Sequence, residues 1–189
     1  MKDKAYWNNY YETNLSEMEK DPSGFLVNHI DSLRKGKTLE IACGAGRNSI
    51  YMAGKGFTVE ATDFSDVAIS KAQNKSKAEG KDVEFKVQGL DFFLMPIQKY
   101  DSVVVVDYKC SGRLLDEIKK GLVIGGTILI EGYTYNHLKH NAGTEIEIEE
   151  CYKPFELCGL LKNWNLLFYD ERANGKEFKV RALAVKPSY

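Results

Sequence analysis

A chain of 189 residues that is 43% hydrophobic and 28% charged has the length and make-up of one packed globular domain. Its 26 Lys and Arg nearly cancel its 27 Asp and Glu, and the net charge of −1 argues against a nucleic-acid or anionic-membrane binder. No stretch reaches the roughly 20 apolar residues of a membrane span or carries the apolar core of an export signal, so a cytoplasmic protein is expected.

Residues 24–34 (GFLVNHIDSLR) place Phe25, Leu26, Ile30 and Leu33 at helical spacing. The basic run RKGK (34–37) reads as a solvated turn before a short strand at Thr38–Ala42. A glycine turn follows, then a helix over Arg47–Ala53 and a strand over Phe57–Ala61. Ser65 is placed to cap a helix from Asp66 to Glu79 that stops at Gly80. Val83–Val87 alternates as a strand, and SVVVVD (102–107) suits a strand buried on both faces. A helix over 112–121 and a Gly125-Gly126 turn lead into the strand TILIE (127–131).

Strands alternate with helices from 38 to 131, which makes a parallel sheet with right-handed crossovers the economical arrangement. Beyond Glu131 a polar loop leads to EIEIEE (145–150), which alternates like a solvated edge strand. PFELCGLLKN then reads as a helix beginning at its proline. WNLLFYD and FKVRALAVK, joined by ERANGKE, read as an antiparallel pair. The whole chain, 1–189, is expected to form a single domain, with residues 1–23 as an N-terminal lid.

The glycine turn in TLEIACGAGRNSI carries the chemistry. Gly44 and Gly46 permit backbone angles closed to other residues and a close ligand approach. The following helix points its unpaired N–H groups into the same crevice. Asp63 lies 17 residues beyond Gly46, suitably placed to accept the two hydroxyls of an adenosine ribose. A dinucleotide fingerprint needs a third glycine where Ser49 stands, and a Walker loop needs Gly-Lys-Ser/Thr where Gly46-Arg47-Asn48 stands. Glu40 would repel a pyrophosphate. A cofactor with adenosine at one end and a cationic, amino-acid-like end fits better.

The segment LEIACGAGRNSIYMAGKGFTVEATDFSDVAISKA, with KYDSVVVVD and LVIGGTILIEGY after it in order, resembles class I S-adenosylmethionine-dependent methyltransferases. The chain is most similar to the small bacterial group of tellurite-resistance and thiopurine-type enzymes, a likeness that HNAG (140–143) and WNLLFYDE extend. The resemblance implies a Rossmann-like α/β fold: a mostly parallel seven-stranded sheet flanked by helices, with a C-terminal antiparallel hairpin. It also implies S-adenosylmethionine as cofactor. Glu40 would lie near the methionine ammonium, Gly44, Ala45 and Gly46 would wrap the methionine and ribose, and Asp63 would hold the ribose diol. Phe64 would sit against adenine. The family's acid or amide after the third strand falls in VQGLDFF, which leaves Gly89, Leu90 and Asp91 as candidates for the adenine contact. Asp107 would lie beside the methyl-donor sulfur.

Methyl transfer from a sulfonium needs alignment and dryness more than a base, and the sequence singles out no catalytic residue. Candidate acceptor walls are Tyr6, Trp7, Tyr10 and Tyr11 of the lid, together with Tyr108, Tyr133, Tyr135 and His137. His137 and His140 lack a convincing third ligand, so no metal is expected. Cys43 reads as a small packing residue, and the four cysteines (Cys43, Cys110, Cys151, Cys158) as free thiols. The expected acceptor is a small molecule, a chalcogen oxyanion or thiol-like compound, with no nucleic acid and no membrane, in a monomer or homodimer. The competing readings are a non-catalytic S-adenosylmethionine-binding protein and a methyltransferase acting on a protein partner.

Overall fold

A computed structural model describes residues 2–91, 93–141, 143–174 and 176–188. Ala142 of the HNAG segment and Gly175 of the ERANGKE turn lie outside them, as does Phe92. The chain opens with α1 (Lys4–Thr13) and a 3-10 turn (Leu15–Met18), then α2 (Gly24–His29), which tightens into 3-10 geometry over Ile30–Ser32. The strands and helices β1 (Lys37–Ile41), α3 (Arg47–Gly54), β2 (Thr58–Asp63), α4 (Asp66–Ala78) and β3 (Val83–Val87) follow. Then come β4 (Tyr100–Val106), α5 (Gly112–Gly121), β5 (Leu122–Tyr133) and α6 (Tyr135–His140). The chain closes with α7 (Glu156–Leu160), β6 (Asn165–Asp170), β7 (Ala173–Asn174) and β8 (Glu177–Val185).

The sheet runs β3-β2-β1-β4-β5-β8-β6, with the two-residue β7 paired to β8 beside this path. Pairs from β3 through β5 are parallel, and β8 is antiparallel to both β5 and β6. The expected mostly parallel seven-stranded sheet with a C-terminal antiparallel hairpin is therefore the architecture found. Strand order reverses between β1 and β4, the place where such sheets open a ligand crevice at their carboxyl ends.

The four valines of β4 explain how both faces are covered. Val103 and Val105 enter one core with Ile118 of α5 and Tyr152, while Val104 and Val106 enter the other with Leu26 of α2 and Met52 of α3. Each buried valine contributes on the order of 1.5–3 kcal/mol relative to exposure.

Three expectations are corrected. EIEIEE forms no strand. Its Glu147 and Glu150 instead make a reciprocal capping box around a 3-10 turn at Ile148–Glu150, with Glu147 N–H donating to Glu150 Oε2 at 2.7 Å. The helix assigned to PFELCGLLKN starts beyond its proline, at Glu156, because Phe155 takes a left-handed φ of 59°. Gly125-Gly126 does not precede its strand but lies within β5, at a bulge where the register with β4 shifts and where both glycines bond to Lys186.

Candidate cofactor and acceptor site

The turn after β1 is built on left-handed backbone. Gly44 has φ 54° and Gly46 φ 81°, and a Cβ on Gly46 would lie 2.9 Å from Ala72 and 3.0 Å from Phe85. Ala42 takes φ 56° in the same turn without being a glycine, at a cost on the order of 1 kcal/mol. Ala45 and Cys43 are buried in the turn. Burial, then the charges of Glu40 and Asp63, push the Cys43 thiol well up, which keeps it a packing group.

Asp63 closes β2 against this turn. Its Oδ2 accepts the Gly44 N–H at 2.8 Å and its Oδ1 the Ser65 N–H at 2.9 Å. Burial raises the Asp63 pKa, against the opposing bonds from Ser65, Gly44 and Phe64. Ser65 caps α4 by accepting the Ala68 N–H at 3.0 Å, and Phe64 is half-buried between them. Glu40 is 1% exposed. Its Oε1 accepts from Asn48 Nδ2 at 2.9 Å and its Oε2 from the Ser49 hydroxyl, so its carboxylate is tied to the first turn of α3. Burial lifts its pKa to about 7, although Ser49, Asn48 and Arg47 pull it down.

Helix α1 packs against the glycine turn and α4. The Tyr11 hydroxyl sits directly over Gly44, and Lys71 of α4 donates to the Tyr11 carbonyl. Asn8 bridges to Asp66 at 3.0 Å and receives the Ser65 hydroxyl at 2.7 Å. Trp7 packs edge-on against Tyr6 and Tyr10, with centroids 5.4 and 5.3 Å apart, and tilted against Tyr11 at 6.2 Å.

The opposite wall is a charged cluster at the ends of β4, β5 and β8. Asp107, at φ 59°, meets Arg47 Nη2 at 2.8 Å through Oδ2 and Lys179 Nζ at 2.9 Å through Oδ1. Lys179 Nζ stands 4.6 Å from the Tyr133 ring centre, and Tyr133 packs on His137 at 4.6 Å. Burial would lower the Lys179 pKa, but Asp107, Tyr133 and Glu131 overcome it and hold the ammonium charged. Burial lowers the pKa of His137. Deeper in, Glu131 Oε2 accepts from Arg181 at 2.7 Å and Oε1 from Ser23 at 3.2 Å.

Tyr108 is 37% exposed beside Asp107, and Asp91 is exposed. Leu90 packs on the core and gives its carbonyl to Arg113. Tyr135 is half-buried at the start of α6. Among the described residues no three His, Cys, Asp or Glu converge to hold a metal, and no helix is long and apolar enough to cross a membrane.

Comparison with known families matches residues 1–181 to the family of the tellurite resistance protein TehB. The chain belongs to the TehB family. Among curated proteins none matches it by sequence. Of solved structures, TehB from Haemophilus influenzae superposes with a TM-score of 0.70 at 20% identity, over 97% of this chain and 66% of that one. Magnesium protoporphyrin IX methyltransferase (ChlM) from Synechocystis PCC 6803 with bound SAH gives 0.72 at 15% identity, over 98% and 100%. The [4+2]-cyclase SpnF gives 0.65 at 14% identity, over 95% and 80%. At such identities these likenesses establish a common fold.

For this TehB-family chain, the residues that sequence reasoning missed are Arg47, Glu131, Lys179 and Arg181. One signal was available. Lys179 and Arg181 stand two apart in an apolar strand, hence on one face, and they pair in register with Tyr133 and Glu131 of β5.

Proposed function

We propose that the protein transfers a methyl group from S-adenosylmethionine to a small-molecule acceptor by in-line displacement. The observation that carries this reading is the Asp63–Gly44 bond: an acid ending β2, fixed on the glycine turn after β1. A carboxylate acceptor so placed suits a ribose diol, and the left-handed turn beneath Tyr11 suits a ligand laid close on the backbone.

In this reading Asp63 holds the ribose, Gly44, Ala45 and Gly46 line the methionine and ribose, and Phe64 with Leu90 and Asp91 borders the adenine. Glu40 fixes the start of α3 and sets the negative field for the ammonium. The cofactor supplies the activated methyl group, and Asp107 lies on the side where it is presented. Trp7, Tyr11, Tyr108, Tyr133 and His137 enclose the acceptor and exclude water. The acceptor is a soft nucleophile, a chalcogen oxyanion or a thiol-like compound.

Titration calorimetry with S-adenosylmethionine, S-adenosylhomocysteine, NAD and ATP tests the cofactor, the first two binding tightest. Tighter binding of NAD would reject it. Labelled methyl donor, offered with tellurite, selenite, thiols, tRNA and protein extract, tests the acceptor; label confined to RNA or polypeptide rejects the small-molecule reading. SpnF shares this fold, so a protein that binds S-adenosylhomocysteine yet labels none of these acceptors would favour other chemistry on the same scaffold.

A further inference from the structure

The two oxygens of Asp107 face two different cations, Arg47 at 2.8 Å and Lys179 at 2.9 Å, contributed by α3 and β8 from opposite sides of the crevice. Lys179 is built in, whereas Arg47, its side chain 24% exposed, and Asp107 are reached by solvent. The Lys179 side chain is 6% exposed, whereas that of Asp107 is 31% exposed and hangs from a left-handed backbone just past β4. Among the described residues the one carboxylate paired with Arg47 is Asp107. Lys179 also lies 3.5 Å from Glu131 and 3.3 Å from Glu177. Glu131, however, is committed to Arg181 and Ser23, and the Glu177 side chain is 48% exposed.

This arrangement matches a planar anion with two oxygens, each oxygen on its own cation. Beside it, Tyr133 and His137 provide an aromatic wall. Exchanging one carboxylate for another leaves the buried charge unchanged, so the exchange avoids the penalty of stranding an ammonium.

We propose that Arg47 and Lys179 are the binding site for the carboxylate of the acceptor, a small organic acid that carries a thiol-like nucleophile. Asp107 is the internal occupant that this carboxylate displaces. The assignment rests on the methyltransferase reading and narrows its acceptor to the carboxylate-bearing class.

The test titrates 3-mercaptopropionate, 2-mercaptoethanol and selenite into wild type, Asp107→Asn and Asp107→Asn/Lys179→Met, with no methyl donor present. Asp107→Asn removes the internal competitor, so 3-mercaptopropionate should bind it about tenfold tighter than wild type. The neutral thiol should gain nothing. The double variant removes both charges together, which protects the fold, and circular dichroism confirms that it stays folded. The gain should vanish there. An unchanged affinity in Asp107→Asn, or a gain that survives loss of Lys179, overturns the proposal. An equal gain for selenite overturns the choice of carboxylate.

The cofactor's own carboxylate is separated by comparing S-adenosylmethionine with its decarboxylated analogue on the two variants, which differ only at Lys179. Equal effects support the acceptor assignment; a selective loss for the carboxylate-bearing form gives the site to the methyl donor and overturns it. S-adenosylhomocysteine binding to wild type is scored independently, and its failure alongside an intact anion result would sink the methyltransferase reading alone.

Discussion

The hydroxyl of Tyr11 fills the space that a Cβ on Gly44 would need. Helix α1 is therefore fitted to a glycine backbone. Gly44→Ala adds a methyl group at φ 54° and drives it into Tyr11, so α1 should lift from the turn. The backbone part alone costs about 1–2 kcal/mol. Hydrogen exchange should rise over residues 4–13 and S-adenosylhomocysteine affinity should fall. Tyr11→Phe in the same chain should restore part of the protection, because it removes the colliding oxygen. Unaltered exchange in Gly44→Ala would mean that the contact does not hold the helix.

Glu40 couples stability to pH in the sense opposite to most carboxylates. Burial raises its pKa from 4.5 to about 7, so the folded state binds the proton more tightly than the unfolded chain. Its favourable contribution is complete below about 4.5 and is lost as pH rises to about 7, a change on the order of 3 kcal/mol. Glu40→Gln carries no such proton, and the Ser49 hydroxyl can turn to accept from the amide. Urea unfolding at pH 5, 6 and 7.5 should show the variant gaining on wild type as pH rises. Calorimetry should show it losing cofactor affinity, since the negative field is gone. Parallel pH profiles for the two proteins would refute the buried-proton account.

Asp63 tests the register of the ribose site. Asp63→Ala removes charge-assisted bonds worth roughly 1.5–3 kcal/mol each before compensation, including those to Gly44 and Ser65 within the protein. Affinity for S-adenosylhomocysteine should drop at least about tenfold with the circular dichroism spectrum retained. Unchanged affinity would place the ribose elsewhere.

Glu60 makes the contrasting case. Burial raises its pKa, but hydrogen bonds from Lys37, Lys99 and Tyr100 outweigh this and hold it at about 2. The resulting stability is present above the ordinary value of 4.5 and is lost as pH falls towards about 2. Glu60→Gln should lower Tm by about 3 °C at pH 7, from about 1 kcal/mol, and the difference should shrink on acidification. A difference that widens in acid would contradict the assignment.

The parallel sheet was legible because its signals are local: a β-branched run for β4, a serine cap before α4, glycines where the backbone turns left-handed. The alternation in EIEIEE misled because a period of two needs a neighbouring ladder, whereas Glu147 and Glu150 close on each other in a capping box. Ala42 escaped notice because composition does not reveal a left-handed alanine. The charged wall was hidden for a different reason. Arg47, Asp107, Glu131 and Lys179 come from four separate elements, and only the closed sheet brings them within reach.

Helix α1 has no fully buried residue. What fastens it is a set of polar links near its surface: Lys4 to Asp66 at 2.8 Å, Asn8 to Asp66 at 3.0 Å, Tyr6 to Glu145 at 3.2 Å, and Lys2, just before it, to Glu150 at 2.9 Å. These moor the helix on both banks of the crevice, to α4 on one side and to residues 145–150 on the other. Such moorings weaken with ionic strength, whose screening length shrinks from about 10 Å at 0.1 M salt to about 3 Å at 1 M, while the apolar sheet beneath is indifferent to it. Added salt should therefore loosen α1 ahead of the sheet, read as hydrogen exchange that rises first over residues 4–13.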